Sequence, residues 1–322
     1  MATNQKTKEN NQKVGFEIEY IGVDLQNTAE IIIDVLGGHQ HPINKDAIRI
    51  ETEMGKFTIE KDAELLKKLA EKSKENSQNN QLDLEGIAED LLNKLLGDYI
   101  PNEIVCPPIK INDIAKLDMV VSSLRDQGAK GTSSSLAYAF GLHINPEVLC
   151  FEAASILAHI QSFALLYDWM HYKMNLDFSR SISQFIKPYP AAYLDLINDS
   201  HYTPSMKQLM ADYIAYVPTR NYALDLYPLF KHIDDAYISS QVDCQLINAR
   251  PTYHFRMPNC RIDHPGWSLR NEWQYWVNIE KLSMNHKIRH DLMIQYKKEF
   301  SDPIRLNRQP WIKKVNQIVS AL

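Results

Sequence analysis

Four short stretches of the chain carry polar residues two apart: Glu17 with Glu19, Glu51 with Glu53, His143 with Asn145, and His254 with Arg256. Glu103 adds a further carboxylate in similar surroundings. On an extended strand, residues i and i+2 share one face. If these stretches lie in one sheet, one face gathers carboxylates, imidazoles and a guanidinium. Two carboxylates about 7 Å apart on a half-buried face repel by a few kcal/mol at intermediate dielectric. Protonation, arginines or a divalent cation would offset that repulsion. Oxygen donors suit Mg²⁺ or Mn²⁺, and histidine completes a site that tolerates nitrogen. The wet face of an amphipathic strand has the same pattern. Glu51/Glu53, close to Glu60 and Lys61, fits that plainer reading. Glu17/Glu19, preceded by Gly15 and flanked by apolar residues, fits the cation site better.

Arginines come next. The run Arg250 to Arg261 holds three arginines and His254 within twelve residues. Such a density suits a transferring phosphoryl group, although Arg256 alone could equally be an ion-pair partner of the carboxylates. Arg220, followed by Asn221, precedes a helical pattern, where a guanidinium can grip phosphate oxygens or simply face solvent. No Walker loop and no dinucleotide fingerprint is present. The stretch from Gly128 to Ser135 resembles a phosphate cradle, but its spacing suits an ordinary loop. His39 and His41, next to Pro42, read as loop residues. Trp267, Trp273, Tyr275 and Trp276 read as packing for a helix on a sheet. No Gly-x-Ser-x-Gly occurs, and no cysteine is placed as a nucleophile.

The elements that must position these groups follow from periodicity. Residues 14–24 alternate as a strand. A helix is expected over Thr28–Leu36, capped near Asn27 and stopped by Gly37-Gly38. A hairpin is expected from Ile48–Glu53 and Phe57–Glu60, turning at Met54-Gly55-Lys56. Helices are expected over Asp62–Lys72 and Leu84–Leu96, with a polar loop at Lys74–Gln81 between them. Glu103–Cys106 reads as a strand ended by two prolines. A helix capped by Asn112 runs to Gly128, and Leu136–Asn145 returns as a strand. Helical patterns then dominate: Phe151–Lys173, Thr203–Tyr216, Tyr222–Phe230 and Leu269–Asn285, interrupted by a strand over Thr252–Met257. Strands and helices lack regular βαβ spacing, so the expected class is α+β with a largely antiparallel sheet. Residues 1–12 read as a disordered arm and 13–322 as one domain.

The totals fit an ordinary globular protein. The chain has 322 residues, 44% hydrophobic and 23% charged, with net charge -5. Such a balance exerts no general pull on nucleic acid or anionic membrane. Four scattered cysteines without a Cys-x-x-Cys pair argue against a zinc knuckle or disulfide framework. With neither a signal peptide nor a spanning apolar run, a cytoplasmic protein is expected.

The run Val14-Gly15-Phe16-Glu17-Ile18-Glu19-Tyr20 resembles the Gly-x-Glu-x-Glu signature of the amidoligases, within the glutamine synthetase and glutamate–cysteine ligase superfamily of carboxylate–amine ligases. Blocks in the same order reinforce it: Arg49–Glu53, Glu103–Ile109, Ala139–Pro146, Pro218–Asn221 and Arg250–Asn259. The resemblance implies an antiparallel sheet curved into a funnel, polar inside, with helices outside. It implies Mg²⁺ (or Mn²⁺) and ATP, with Glu17 and His143 in one metal site. Glu19, Glu103 and one of Glu51 and Glu53 would form the other. Arg220 and Arg256 would meet the ATP phosphates or the reacting phosphoryl group, with Asn145, Asn221 and Arg250 lining the nucleotide site and Glu53 assisting the chemistry. Two positions depart from the family pattern: His254 stands where an acidic residue is usual, and Glu53 where an aspartate is. His254 as a ligand would soften its site toward Mn²⁺.

The implied reaction activates a carboxylate as an acyl phosphate, which an amine then attacks to give an amide, ADP and phosphate. The carboxylate and amine could belong to small molecules, peptides or proteins. Two other readings stay open: a metal-dependent hydrolase using the same carboxylates without ATP, and a nucleotide-binding module without turnover.

Overall fold

Strand β1 (Lys13–Tyr20) sets the two sides of the molecule. Phe16, Ile18 and Tyr20 point one way and are buried, while Glu17 and Glu19 point the other. A computed structural model describes residues 12–61, 101–132, 141–176, 186–244, 247–300 and 307–322. The expected helices over Asp62–Lys72 and Leu84–Leu96 and the loop between them lie outside the described residues. So do residues 1–11 of the expected arm.

Among the described residues, nine strands form one open sheet. After β1 come β2 (His39–Asn44), β3 (Ala47–Thr52), β4 (Gly55–Lys61), β5 (Asn102–Val105), β6 (Ile109–Lys110), β7 (Leu142–Pro146), β8 (Leu224–Asp225) and β9 (His254–Phe255). The order is β2-β3-β4-β5-β1-β7-β9-β8, with β6 also pairing β1. Every ladder between these strands is antiparallel. The class is therefore α+β with a large antiparallel sheet, as the mixed periodicity implies. The sheet is not closed.

The apolar face of the sheet is covered by helices. Helix α1 (Leu25–Leu36) and α2 (Ile114–Asp126) pack together, α1 also against β3 and β4. Helix α3 (Ala153–Lys173) packs against the long helix Leu269–Met284, and Phe163 and Trp276 from these two meet Phe255 of β9. Trp273 and Trp276 are buried there, as expected of aromatic packing. Burying a large apolar side chain such as Phe16 contributes roughly 1.5–3 kcal/mol, so this face fixes the register of β1. A one-residue slip would bury Glu17 and Glu19 among helices instead.

Several boundaries differ from the periodicity. Helix α1 starts a turn early because Asp24 caps it, accepting from the backbone of Asn27 at 2.8 Å. Helix α2 is entered through a short 3-10 turn at Ile111–Asp113 without a side-chain cap from Asn112. The segment expected as a helix over Tyr222–Phe230 splits into β8 and a helix at Tyr227–Ile233, because Pro228 starts the helix and Leu224 pairs Phe255. The β3–β4 hairpin turns at Glu53-Met54, one residue pair before the expected place, because Gly55 (φ +125) takes the position that needs positive φ. His39 and His41 lie on strand β2 and not in a loop. Pro42 is tolerated there because β2 is an edge strand, where a missing N–H costs no ladder bond.

The two glycines before β2 do different work. Both have positive φ, but a Cβ at Gly37 meets nothing within 4 Å, whereas one at Gly38 would lie 2.1 Å from the Glu51 carbonyl oxygen. Gly37→Ala should cost about 1 kcal/mol from the left-handed backbone alone. Gly38→Ala should cost at least about 2 kcal/mol, because β2 must also move off β3. Urea denaturation of both variants checks this, and equal losses would contradict it.

Candidate active site

Glu17 is the most constrained polar group of the sheet. It sits on the central strand, nearly inaccessible to solvent (7% exposed). Its register partner on β7 is His143, whose Nδ1 lies 2.9 Å from Oε2. Asn145 donates to Oε1 at 3.1 Å, and Arg250 Nη1 approaches the same oxygen at 2.5 Å. Burial alone would push this carboxyl up. The hydrogen bond with His143 and the positive charge of Arg250 outweigh burial and hold it well below the usual carboxylate range.

Asn145 links Glu17 to His254. Its amide nitrogen serves Glu17, so its oxygen faces His254, whose Nδ1 lies at 2.7 Å. The carboxylate can only accept, which fixes the amide, and the amide in turn makes His254 Nδ1 the donor. His254 is buried, and burial, His143 and the neighbouring arginines hold it well below the usual imidazole range against the pull of Glu17. It is therefore a neutral ring with its proton on Nδ1 and a lone pair on Nε2. An orienting second partner of this kind is what a metal-binding histidine requires.

A row of carboxylates crosses the neighbouring strands. Glu19 stands directly opposite Glu103 on β5, and Glu103 directly opposite Glu60 on β4. Cross-strand neighbours of this kind have Cβ atoms about 5 Å apart. Glu19 Oε2 accepts from the backbone N–H of Gly141 at 2.7 Å, while its Oε1 lies 3.6 Å from His143 Nε2. His143 thus stands between the two glutamates of β1. One ligand atom each from Glu17, His143 and His254 fall within 4.8 Å of one another, and so do those of Glu19, Glu103 and His143. The donors are carboxylate oxygens and imidazole nitrogens, a set that fits Mg²⁺ or Mn²⁺, with the nitrogens favouring Mn²⁺.

The arginines stand at the β8–β9 end. Arg220 Nε binds Asp225 at 3.0 Å, and Asp225 is wholly buried on β8 opposite His254. Asp225 also accepts from the backbone of Tyr227 at 2.9 Å, so it is a rigid anchor. Arg256 Nη1 donates to the Arg220 carbonyl at 2.9 Å. Arg220 is thus pinned by Asp225 and Arg256 by the Arg220 backbone, both near His254 and partly exposed. Asn221 lies in the loop between Arg220 and β8, half-buried.

The structure brings together Glu17, Glu19, Glu103, His143, Asn145, Arg250 and His254, with Arg220 and Arg256 adjacent. It does not bring Glu51 or Glu53 to Glu19 and Glu103. Glu53 is exposed in the hairpin turn, and Glu51 pairs with Lys56 at 2.9 Å and faces β2. Arg250 stands on Glu17 itself. Two residues of this neighbourhood escape the strand-pair reading. Glu60 is at the end of a strand, where its two-residue partner Thr58 is uncharged. Asp225 lies in what reads as a helix; its only local signal is the spacing Arg220-x-x-x-x-Asp225.

A family model described as putative amidoligase enzyme matches residues 10–278. No curated protein and no solved structure matches the chain. Among the described residues, no helix is long and apolar enough to cross a membrane.

In metal-free buffer, acid should weaken the fold in two stages. Native His254 stays neutral while the unfolded imidazole takes up a proton below about pH 6.5, so stability falls as the pH drops through that value. His159 and His171, both held low by burial, share this window. Glu17 stays ionised to low pH while the unfolded carboxyl titrates near about 4.3, so a second loss follows below that. Denaturation curves across pH 3–8 should show both stages, marked by about those two values. His254→Gln should shrink the first stage and spare the second; an unchanged first stage would contradict the assignment.

Proposed function

The chain belongs to the amidoligase family, and we propose that it is an ATP-dependent carboxylate–amine ligase working through an acyl phosphate. The observation that carries this reading is the pair of three-residue donor groups that share His143 on one sheet face, with Arg220 and Arg256 held beside them. An amide hydrolase needs the donors without two fixed guanidiniums next to them, and a phosphoester hydrolase would use both but consume no ATP. A ligase must hold a triphosphate and neutralise a transferring phosphoryl group.

Glu17, His143 and His254 would hold one divalent cation, and Glu19 and Glu103 would contribute to another. Such ions neutralise phosphate charge when bound. The remaining work falls to the chain. Arg256 and Arg220 grip phosphoryl oxygens, with Arg220 held rigid by Asp225, so little ordering is left for the moment of reaction. The substrate carboxylate oxygen attacks the γ-phosphorus of ATP, the bond to the β-phosphate oxygen breaks, and ADP leaves. The amine nitrogen then attacks the acyl carbon, phosphate leaves, and the nitrogen's proton passes to a carboxylate of the face. Glu60 suits that task, since it extends the row yet belongs to neither donor group. The curvature of the sheet into a funnel, as in glutamine synthetase, is part of the same proposal.

The test is release of ADP from Mg²⁺-ATP across a panel of carboxylates and amines, including amino acids and peptides. ADP formed only when both substrates are present, with amide product in equal amount, is expected. No ADP with any pair would overturn the reading. Glu19→Gln and Arg256→Gln should each lower kcat by at least about a hundredfold. Glu53→Gln, in its exposed turn, should stay within about twofold, inside the range of neutral surface changes. A large loss there would return Glu53 to the chemistry.

A further inference from the structure

The same sheet carries a third group of metal donors, far from the first two. We propose that His39, His41 and Glu51 form a separate site for a borderline transition ion, represented by Zn²⁺, at the outer edge of the sheet.

The argument starts from the strand. His39 and His41 are two apart on β2, so both imidazoles stand on one face. The register places His39 directly opposite Glu51 on β3, on that same face. The two rings lie with centroids 4.7 Å apart, edge to face. One ligand atom from each of the three residues falls within 4.8 Å of the others. A tetrahedral ion with bonds of about 2.0–2.2 Å holds its donors about 3.4 Å apart, so side-chain rotation suffices and the backbone need not move.

The donor set decides the ion. Two imidazole nitrogens and one carboxylate oxygen are softer than the carboxylate row around Glu19, and suit Zn²⁺ better than Mg²⁺. Three protein ligands leave one coordination position open. Lys56, an exposed side chain, now holds Glu51 at 2.9 Å. A surface ion pair of this sort is worth little and yields readily to a bound cation. Arg49, opposite His41, is the other cation nearby.

The position gives such an ion a mechanical role. Strand β2 is an edge, mostly exposed, with Pro42 and a register shift between Pro42 and Asn44. It buries little apolar surface of its own. An ion bonded to both β2 and β3 would fasten it. Three strand spacings separate β3 from β1, about 14 Å, so this site and the one around Glu17 are independent.

The test is titration of metal-free protein with Zn²⁺ against a chromophoric chelator, counting equivalents in wild type and variants. His41→Ala should lose one equivalent and leave the others. Glu51→Gln should weaken that equivalent at least about tenfold, as loss of a ligand requires. Lys56→Gln should strengthen it by about twofold to fivefold by releasing Glu51 from a weak surface pair, a gain that misfolding cannot imitate. Equal stoichiometry in wild type and His41→Ala would overturn the site. Unchanged affinity in Glu51→Gln would also overturn it, leaving an ordinary surface histidine pair.

Discussion

A negative charge buried at the centre of the sheet governs the arrangement around it. Glu17 has almost no contact with water, and removing one partner of such a charge typically costs about 3–5 kcal/mol. Its partners come from two separate parts of the chain: His143 and Asn145 on β7, and Arg250 just before β9. These strands must therefore assemble in one register for the charge to be tolerated. The apolar faces of the same strands demand the same register, since Phe16, Ile144 and Phe255 all sit in the core. Packing and electrostatics select one alignment, and consistency of this kind is what makes a single fold.

Hydrogen bonds carry the constraint outward. Glu17 fixes the amide of Asn145, the amide fixes the proton of His254, and the ring leaves Nε2 open. The departure of His254 from an acidic residue is thereby intelligible in physical terms. A carboxylate in this buried place would add a second charge close to Glu17. A neutral imidazole supplies a donor atom without it. The opposite end of the face works differently. Glu19, Glu103 and Glu60 lie in line and are only half-buried, where repulsion is weaker and a harder cation is suited.

Much of this was legible because a strand has a period of two. Glu17/Glu19, His143 and His254 could be read as facing one way from spacing alone, and the alternating apolar residues named the other face. What spacing cannot supply is the order of strands. Glu51 and Glu53 look equivalent to Glu17 and Glu19 in sequence. Yet β4 and β5 lie between β3 and β1, and the hairpin turn removes Glu53 from the strand altogether. Glu60 takes the place beside Glu103 because β4 pairs β5 across a long intervening segment, a contact without local signature. Strand β9 falls within the expected strand Thr252–Met257, whereas β8, two residues long, is too short for periodicity; tertiary pairing alone makes it a strand. The histidines of β2 were obscured by Pro42, which normally argues against a strand and is harmless only at an edge.

Under the proposed function, a bound cation and Arg250 would meet the same carboxylate. Its guanidinium meets the Glu17 oxygen that Asn145 also serves, and more than a third of the side chain is exposed. A divalent ion bound by Glu17 carries twice its charge, so the two cations compete for one carboxylate. The partly exposed side chain of Arg250 has little packing to lose on moving outward. It would then stand over the same face as Arg220 and Arg256, where the triphosphate of the proposed reaction would need positive charge. The ion pair with Arg250 thus helps keep Glu17 ionised, and under the proposed function its exchange for a metal would free an arginine for the phosphate.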